Sequence, residues 1–240
     1  MKFLYLFILF KEVLQSFGLI NINIDTTGLL IPYTIGALGY VKKNLNICDY
    51  RLTGVSGGSF ASIIYHFEKD LSNHDVIWNN LIGDDNYVIN INKNLEEFQQ
   101  IIKKNMMIRY NTINTNINDI PISVIVSKIS NLIITNEKIS KFNDFEELLD
   151  YCICSSYIPY LSGKHFSKKY KNTNFIDGGI LKNIHQFDCL AIDKCEKSIY
   201  IHRNIGNRVF DYNDYFFLNK NISRKLYNYG WFDCKNYFNP

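Results

Sequence analysis

The 240-residue chain contains only 4 prolines, and no stretch of it is rich in proline or glycine. Such stretches are typical of flexible linkers, so the sequence gives no sign of a hinge between domains. Hydrophobic residues make up 47% of the chain and aromatic residues 15%, which is enough for a sizeable buried core. We therefore expect one domain over residues 17–240, preceded by an N-terminal apolar segment over residues 1–16.

An excess of charge of either sign is also missing. The formal net charge is +3, and no dense basic run with interleaved aromatic residues occurs. Because nucleic-acid binding depends on such a basic surface, we do not expect a nucleic-acid partner.

Cysteine is sparse and scattered. Of the 6 cysteines, only Cys152 and Cys154 are close together, on a predicted helix. That spacing suits neither a zinc site nor a redox motif, and no His/Asp/Glu cluster has metal-ligand spacing. We expect neither a metal nor a cofactor, and we expect most cysteines to be small buried residues, as in a reducing compartment.

The N-terminus lacks a hydrophobic run long enough to span a bilayer. Lys2 and the apolar residues 3–10 resemble a secretory signal peptide, but no small-residue cleavage site follows them. We favour a segment that packs on the domain or touches a membrane surface, in a cytoplasmic or peripherally membrane-associated protein. A cleaved secretory signal remains the alternative.

The hydrophobic patterns predict strands that alternate with helices. Residues 17–24 and 49–53 are predicted strands, and the small residues Gly36, Ala37 and Gly39 predict a helix that packs closely on a sheet. The Asn-rich residues 84–118 are predicted to be irregular, with helical pieces around 95–104. Two strands are predicted to join near 128–131, before a helix capped by Asn143 and Glu146. The predicted fold class is α/β, with a mostly parallel sheet covered on both faces.

The stretch Gly54-Val55-Ser56-Gly57-Gly58 has the pattern G-x-S-x-G between a predicted strand and a predicted helix. A tight turn there imposes unusual backbone angles on the serine, and small neighbours leave room for them. The N–H groups at the start of the helix, including that of Gly57, would face a developing negative charge. Ser56 is therefore a candidate nucleophile, although a glycine-rich turn without chemistry gives the same pattern.

A second candidate is Asp177, which follows a predicted strand and precedes Gly178 and Gly179. Reactive residues of parallel sheets gather at the carboxyl ends of strands, where we also place Ser56 and the Thr27-Gly28 turn. The carboxylate of Asp177 could thus reach Ser56. An ordinary turn or helix-capping aspartate is the alternative.

A Ser-His-Asp triad would need a histidine base beyond the acid, on a loop after a late strand. None of the histidines has that position; they are His66, His74, His165, His185 and His202. His202 comes nearest, but its strand-like surroundings favour a structural role. A pair of Ser56 and Asp177 without histidine fits the sequence better.

Taken together, these segments resemble the patatin-like phospholipase family, in particular its animal-type branch of lipid acyl hydrolases. The resemblance rests on the GVSGG and DGG motifs, and on residues 33–41, 154–163, 175–185 and 225–238, in the same order and at similar spacing. It implies a three-layer α/β/α sandwich and a catalytic dyad of Ser56 and Asp177. It also implies an acyl-enzyme mechanism that cleaves fatty-acyl esters of phospholipid or acylglycerol at a membrane or droplet surface, without a cofactor.

One segment departs from the family pattern. The family's oxyanion loop is rich in glycine, whereas residues 26–31 here retain only Gly28. The N–H groups of Thr27, Gly28, Leu29 and Gly57 could still form the oxyanion hole, because every residue except proline carries one. Loss of one donor costs on the order of a hundred- to a thousandfold in rate. An alternative is therefore a weak or inactive patatin-fold protein that binds lipid or a partner.

Overall fold

The computed structural model describes residues 19–45, 47–111, 116–131, 133–181 and 197–239. The N-terminal segment 1–16 and His185, both named above, lie outside the described residues. The strands are β1 (Ile20–Ile24), β2 (Tyr50–Val55), β3 (Ile89–Asn90), β4 (Ile122–Ser130), β5 (Ile133–Ile139), β6 (Lys168–Tyr170), β7 (Thr173–Ile176), β8 (Lys197–Ile201) and β9 (Phe217–Leu218). The helices are α1 (Ile31–Asn44), α2 (Gly57–Phe67), α3 (His74–Leu81), α4 (Ile91–Tyr110), α5 (Phe145–Ser155), α6 (Tyr212–Phe216) and α7 (Lys220–Phe238), with 3₁₀ turns at Gly28–Leu30 and Ile117–Asp119.

The fold is α/β, as predicted, and is built on a mixed sheet of seven strands. Strands β8, β1, β2 and β4 are parallel neighbours in that order. Strands β5 and β7 both pair antiparallel with β4, and β6 pairs antiparallel with β7. Ile22, Leu52 and Val124 of the parallel strands are fully buried, as expected for strands covered on both faces.

Strands β2 and β7 lie along the same edge of β4 and run towards each other. Ile125 pairs with both Val55 of β2 and Lys138 of β5, so β2 and β5 flank opposite edges of β4. Ser127 pairs with both Ile176 of β7 and a residue of β5, which places β7 on the β2 edge. The carboxyl ends of β2 and β7 therefore meet opposite residues 125–127 of β4.

This arrangement corrects the reason for which we expected Asp177 near Ser56. The sequence interpretation placed both residues at the carboxyl ends of parallel strands, but β7 is antiparallel to β4. An antiparallel strand in ordinary register would deliver Asp177 to the far end of the sheet. It reaches the Ser56 end because β4 continues five residues beyond its last pair with β2, so that β7 can pair with the extension.

The small residues of α1 face α7 and not the sheet, contrary to the prediction. A Cβ atom on Gly36 would lie 2.0 Å from the carbonyl oxygen of Tyr227, and one on Gly230 would lie 1.8 Å from that of Tyr33. A Cβ on Gly39 would meet Leu71 and Trp231. The glycines thus allow two helix backbones to touch, and Trp231 stacks its ring edge-to-face with Tyr40 at 5.8 Å.

Two local predictions are also corrected, and a third is confirmed. Residues 84–118 are mostly regular, since α4 covers twenty of them and buries Leu95, Phe98 and Ile102 on one face. The N-cap of α5 is Asp144, which accepts from the N–H of Glu147 at 2.7 Å; Asn143 and Glu146 do not form the cap. The two strands predicted to join near residues 128–131 are confirmed: β4 ends at Ser130, β5 begins at Ile133, and the two pair as an antiparallel hairpin.

No helix in the described ranges is long and apolar enough to cross a membrane.

Candidate active site

Ser56 stands between β2 and α2 in a conformation that serine rarely adopts. Its φ is 53° and its ψ −127°, and only 3% of the residue is exposed. A serine before a helix ordinarily accepts a hydrogen bond from a first-turn amide, but Ser56 makes no side-chain cap. Such strain costs on the order of 1–3 kcal/mol, and it leaves the hydroxyl directed away from the helix.

That hydroxyl donates a hydrogen bond to Asp177. The Ser56 Oγ to Asp177 Oδ2 distance is 2.5 Å, and Asp177 is 5% exposed. The other carboxylate oxygen, Oδ1, accepts from the N–H of Gly179 at 2.8 Å. Both carboxylate oxygens are thus fixed, one by the serine and one by the turn that the two glycines form.

The end of α5 ties the two turns together. Ser155 Oγ accepts from the N–H of Ser56 at 2.7 Å and donates to the carbonyl of Ile125 at 2.6 Å. The carbonyl of Ser155 accepts from the N–H of Gly178 at 2.8 Å. The sequence interpretation missed this positioning residue, because a serine at the end of an apolar helix is an ordinary feature until its partners are known.

Three motif glycines are required for space. A Cβ on Gly54 would lie 2.5 Å from the Cα of Ser59, and one on Gly58 would lie 2.5 Å from the carbonyl oxygen of Ile24. A Cβ on Gly178 would lie 2.3 Å from the carbonyl oxygen of Ile125. Each value is below any distance that real Cβ atoms show, so these glycines let the two turns pack directly against the ends of the strands.

Burial raises the pKa of Asp177 to about 6. The charge of Asp25 raises it further, whereas the hydrogen bonds from Ser56 and Gly179 lower it. No cation acts on this carboxylate within the described part of the chain. A carboxylate that titrates near neutrality is a far better proton acceptor than an exposed aspartate.

The predicted oxyanion loop forms a 3₁₀ turn over Gly28–Leu30, in which the N–H of Leu30 donates to the carbonyl of Thr27 at 2.9 Å. Gly28 has φ +53° with open space around its Cα, so here glycine serves the backbone angle. Leu29 is buried. The loop lies against α2, since a Cβ on Gly57 would be 2.5 Å from Thr27 Oγ1 and 3.2 Å from the Gly28 carbonyl oxygen.

Ser56 pairs with no histidine of the described chain. His66 Nδ1 and the hydroxyl of Tyr50 share a hydrogen bond of 3.2 Å, while His202 Nδ1 accepts from the N–H of Asn204. His165 contributes its carbonyl oxygen to Tyr157. The base available to Ser56 in the described residues is Asp177.

A group that does contain serine, histidine and aspartate lies elsewhere. His74 Nε2 is 2.8 Å from Ser223 Oγ, and His74 Nδ1 is 3.2 Å from Asp75 Oδ1. The adjoining apolar crevice, which Trp78 and Leu218 help to line, has a free volume of about 20 Å³. That is room for one water molecule and not for a substrate. This group joins α3 to α7.

Within the described residues, no group of three or more His, Cys, Asp or Glu side chains could hold a metal ion. Cys152 and Cys154 are buried and unpaired, and burial raises the pKa of each thiol to about 12. Both side chains pack in the core, where burial disfavours the reactive thiolate form.

No family model matches the chain, and no curated protein matches it either.

Proposed function

We propose that the protein is a lipid acyl hydrolase in which Ser56 is the nucleophile and Asp177 its proton acceptor. The observation that carries the proposal is the 2.5 Å hydrogen bond from Ser56 Oγ to Asp177, made by a serine with φ 53° at the N-terminus of α2. Strain, a buried base and a helix N-terminus meet at one hydroxyl. A serine needs a base that takes its proton and donors that stabilise the oxyanion in order to attack an ester.

In the acylation step, Ser56 Oγ forms a bond to the ester carbonyl carbon and its proton passes to Asp177. The carbonyl π electrons move to the oxygen, which the N–H groups of Gly57, Thr27, Gly28 and Leu29 are proposed to stabilise. The tetrahedral intermediate then expels the alcohol, which leaves with the proton that Asp177 holds. The products are the alcohol and an acyl ester on Ser56.

In the deacylation step, Asp177 takes a proton from water as the water oxygen attacks the acyl carbon. The second tetrahedral intermediate breaks its bond to Ser56 Oγ, which recovers the proton from Asp177, and the fatty acid is released. Because Asp177 must be ionised to begin either step, the rate should rise with pH through about 6.

The lipid class of substrate is supported by the resemblance described above, and so are the finer features of the fold. We propose a patatin-like three-layer sandwich that works at a membrane or droplet surface, in a cytoplasmic or peripherally membrane-associated protein without a cofactor or nucleic-acid partner. The side chains of Ile180 and Leu181, immediately after the DGG motif, are exposed and apolar, which suits contact with lipid.

A second candidate is a protein that binds lipid or a partner and hydrolyses little. It is favoured by the loop at residues 26–31, where side chains replace the glycines and the 3₁₀ turn uses one loop amide internally. In this case lipid binding would survive Ser56→Ala, whereas no hydrolysis would be found in either protein.

The test is release of fatty acid from phosphatidylcholine vesicles and from a triacylglycerol emulsion, by the wild type and by Ser56→Ala. We expect release by the wild type and a loss of more than a thousandfold in the variant, which should still unfold in one cooperative thermal transition. Equal release by the two proteins would refute the role of Ser56. Vesicle binding without release by either would support the second candidate.

A further inference from the structure

We propose that the side-chain hydroxyl of Thr27 donates a hydrogen bond to the oxyanion and so takes over a task that loop amides would otherwise perform alone. This inference rests on the proposed function, which it deepens by assigning a donor that the backbone does not supply. Three features of the loop carry it.

The first feature is the state of the hydroxyl itself. Thr27 is 5% exposed, and its Oγ1 has no hydrogen-bond partner among the described residues. Buried hydroxyls are normally paired, because burying one without a partner costs on the order of 1–3 kcal/mol. A buried hydroxyl left without a partner against Gly57, the residue after Ser56, is therefore suited to a ligand that arrives during the reaction.

The second feature is the space that the chain keeps for this hydroxyl. Gly57 is the first residue of α2, has no unusual φ, and is the variable position of G-x-S-x-G, so neither helix nor motif requires glycine there. Its missing Cβ would lie 2.5 Å from Thr27 Oγ1, closer than to any other atom. Glycine at 57 thus leaves the Thr27 hydroxyl directly against the residue whose N–H is the expected oxyanion donor.

The third feature is the difference from the neighbouring threonine. Thr26 Oγ1 is also buried without a partner among the described residues, but it lies over Gly179, where a Cβ would be only 2.1 Å away. It therefore faces the turn of Asp177. The hydroxyl of Thr27, by contrast, adjoins the start of α2, where negative charge is proposed to develop on the substrate.

The experiment compares Thr27→Val, which keeps the shape and removes the hydroxyl, with Thr27→Ser, which keeps the hydroxyl. The matched control is Thr34→Val: Thr34 Oγ1 is fully buried without a partner among the described residues, but it lies within α1. For each protein we would measure fatty-acid release, the rate of Ser56 modification by a fluorophosphonate, and the thermal transition.

We expect Thr27→Val to slow both reactions by about a hundredfold or more, with KM little changed and a thermal transition equal to or above that of the wild type. Thr27→Ser should restore most of the rate, and Thr34→Val should leave it unchanged. A Thr27→Val protein that is as fast as the wild type would overturn this inference and leave the dyad intact. An inactive, unmodified wild type would instead overturn the proposed function.

Discussion

Among the described residues, two serines hydrogen-bond to a potential base, and they differ in almost everything else. Ser56 donates to buried Asp177 from a strained turn at the end of β2, whereas Ser223 pairs with His74 from within α7. The second group has all three residue types of a familiar triad, yet its serine lies in regular helix beside a crevice of about 20 Å³. The two groups therefore differ in the backbone conformation of the serine and not in the proximity of a base.

The largest expected difference between the two groups is in rate. Asp177→Asn should lower the rate of ester hydrolysis by about 10²–10⁴-fold, because the amide can hold Ser56 but cannot take its proton. His74→Gln should leave the rate within about twofold of the wild type. Steady-state kinetics on one ester substrate would measure both. Comparable losses in the two variants would mean that the two groups had been assigned the wrong roles.

A second difference is in stability. The pKa of Asp177 is about 6 in the folded chain against about 3.9 in the unfolded chain, so the folded state gains a proton first as the pH falls. The free energy of unfolding therefore rises as the pH falls from 6 to 4. Above pH 6, the buried negative charge lowers that free energy by about 3 kcal/mol.

Asp177→Asn should then be more stable than the wild type by up to about 3 kcal/mol at pH 7.5, and the gain should vanish near pH 4. Denaturant titrations at the two pH values would measure it. A variant that is less stable than the wild type at pH 7.5 would show that the carboxylate is stabilised by something other than Ser56 and Gly179.

Substitution by glycine instead of alanine should change stability in opposite directions at the two serines. Ser56→Gly should be more stable than Ser56→Ala by about 1 kcal/mol, because glycine adopts φ 53° without strain. Ser223→Gly should be less stable than Ser223→Ala by about 0.5–1 kcal/mol, because that residue is helical. Thermal unfolding of the four variants would test this, and the same sign at both positions would remove the claim of strain at Ser56.

The smallest effect concerns His74, whose pKa is lowered by burial in spite of the adjacent Asp75. Below about pH 6.5 the unfolded chain takes up a proton that the folded chain resists, so His74 makes stability fall as the pH falls. This is opposite to the effect of Asp177. In His74→Gln, this contribution to the fall in the free energy of unfolding below about pH 6.5 should be lost. An unchanged dependence of that free energy on pH would mean that His74 does not contribute to it.

The local part of the candidate site was predictable from the sequence, since strand, turn and helix around Ser56 are set by adjacent residues. Gly54 and Gly58 lie in the motif, and both prove to be required for space. The loop at residues 26–31 lies against Gly57, as predicted, but the sequence does not reveal a role for the hydroxyl of Thr27, because a threonine there resembles a simple loss of glycine. The close approach of this hydroxyl to Gly57 becomes visible only in three dimensions.

Long-range features were less predictable. The direction of β7 and the extension of β4 depend on pairing between distant strands, which hydrophobic patterns do not encode. Gly36 and Gly39 correctly predicted a close contact of their helix, but not its partner. A small residue indicates that another element packs closely, but it does not indicate which element. The role of Ser155 could not be recognised from the sequence, since it consists of hydrogen bonds to Ile125 and Ser56. These residues lie 30 and 99 positions earlier in the chain.

The most direct test of the central claim is to treat the wild-type protein with a fluorophosphonate and to map the modified residue by peptide mass spectrometry. We predict one adduct, on Ser56, formed at a rate that rises with pH through about 6. Modification of Ser223 instead, or no modification of a folded protein, would contradict the conclusion that the Ser56–Asp177 pair is an activated nucleophile.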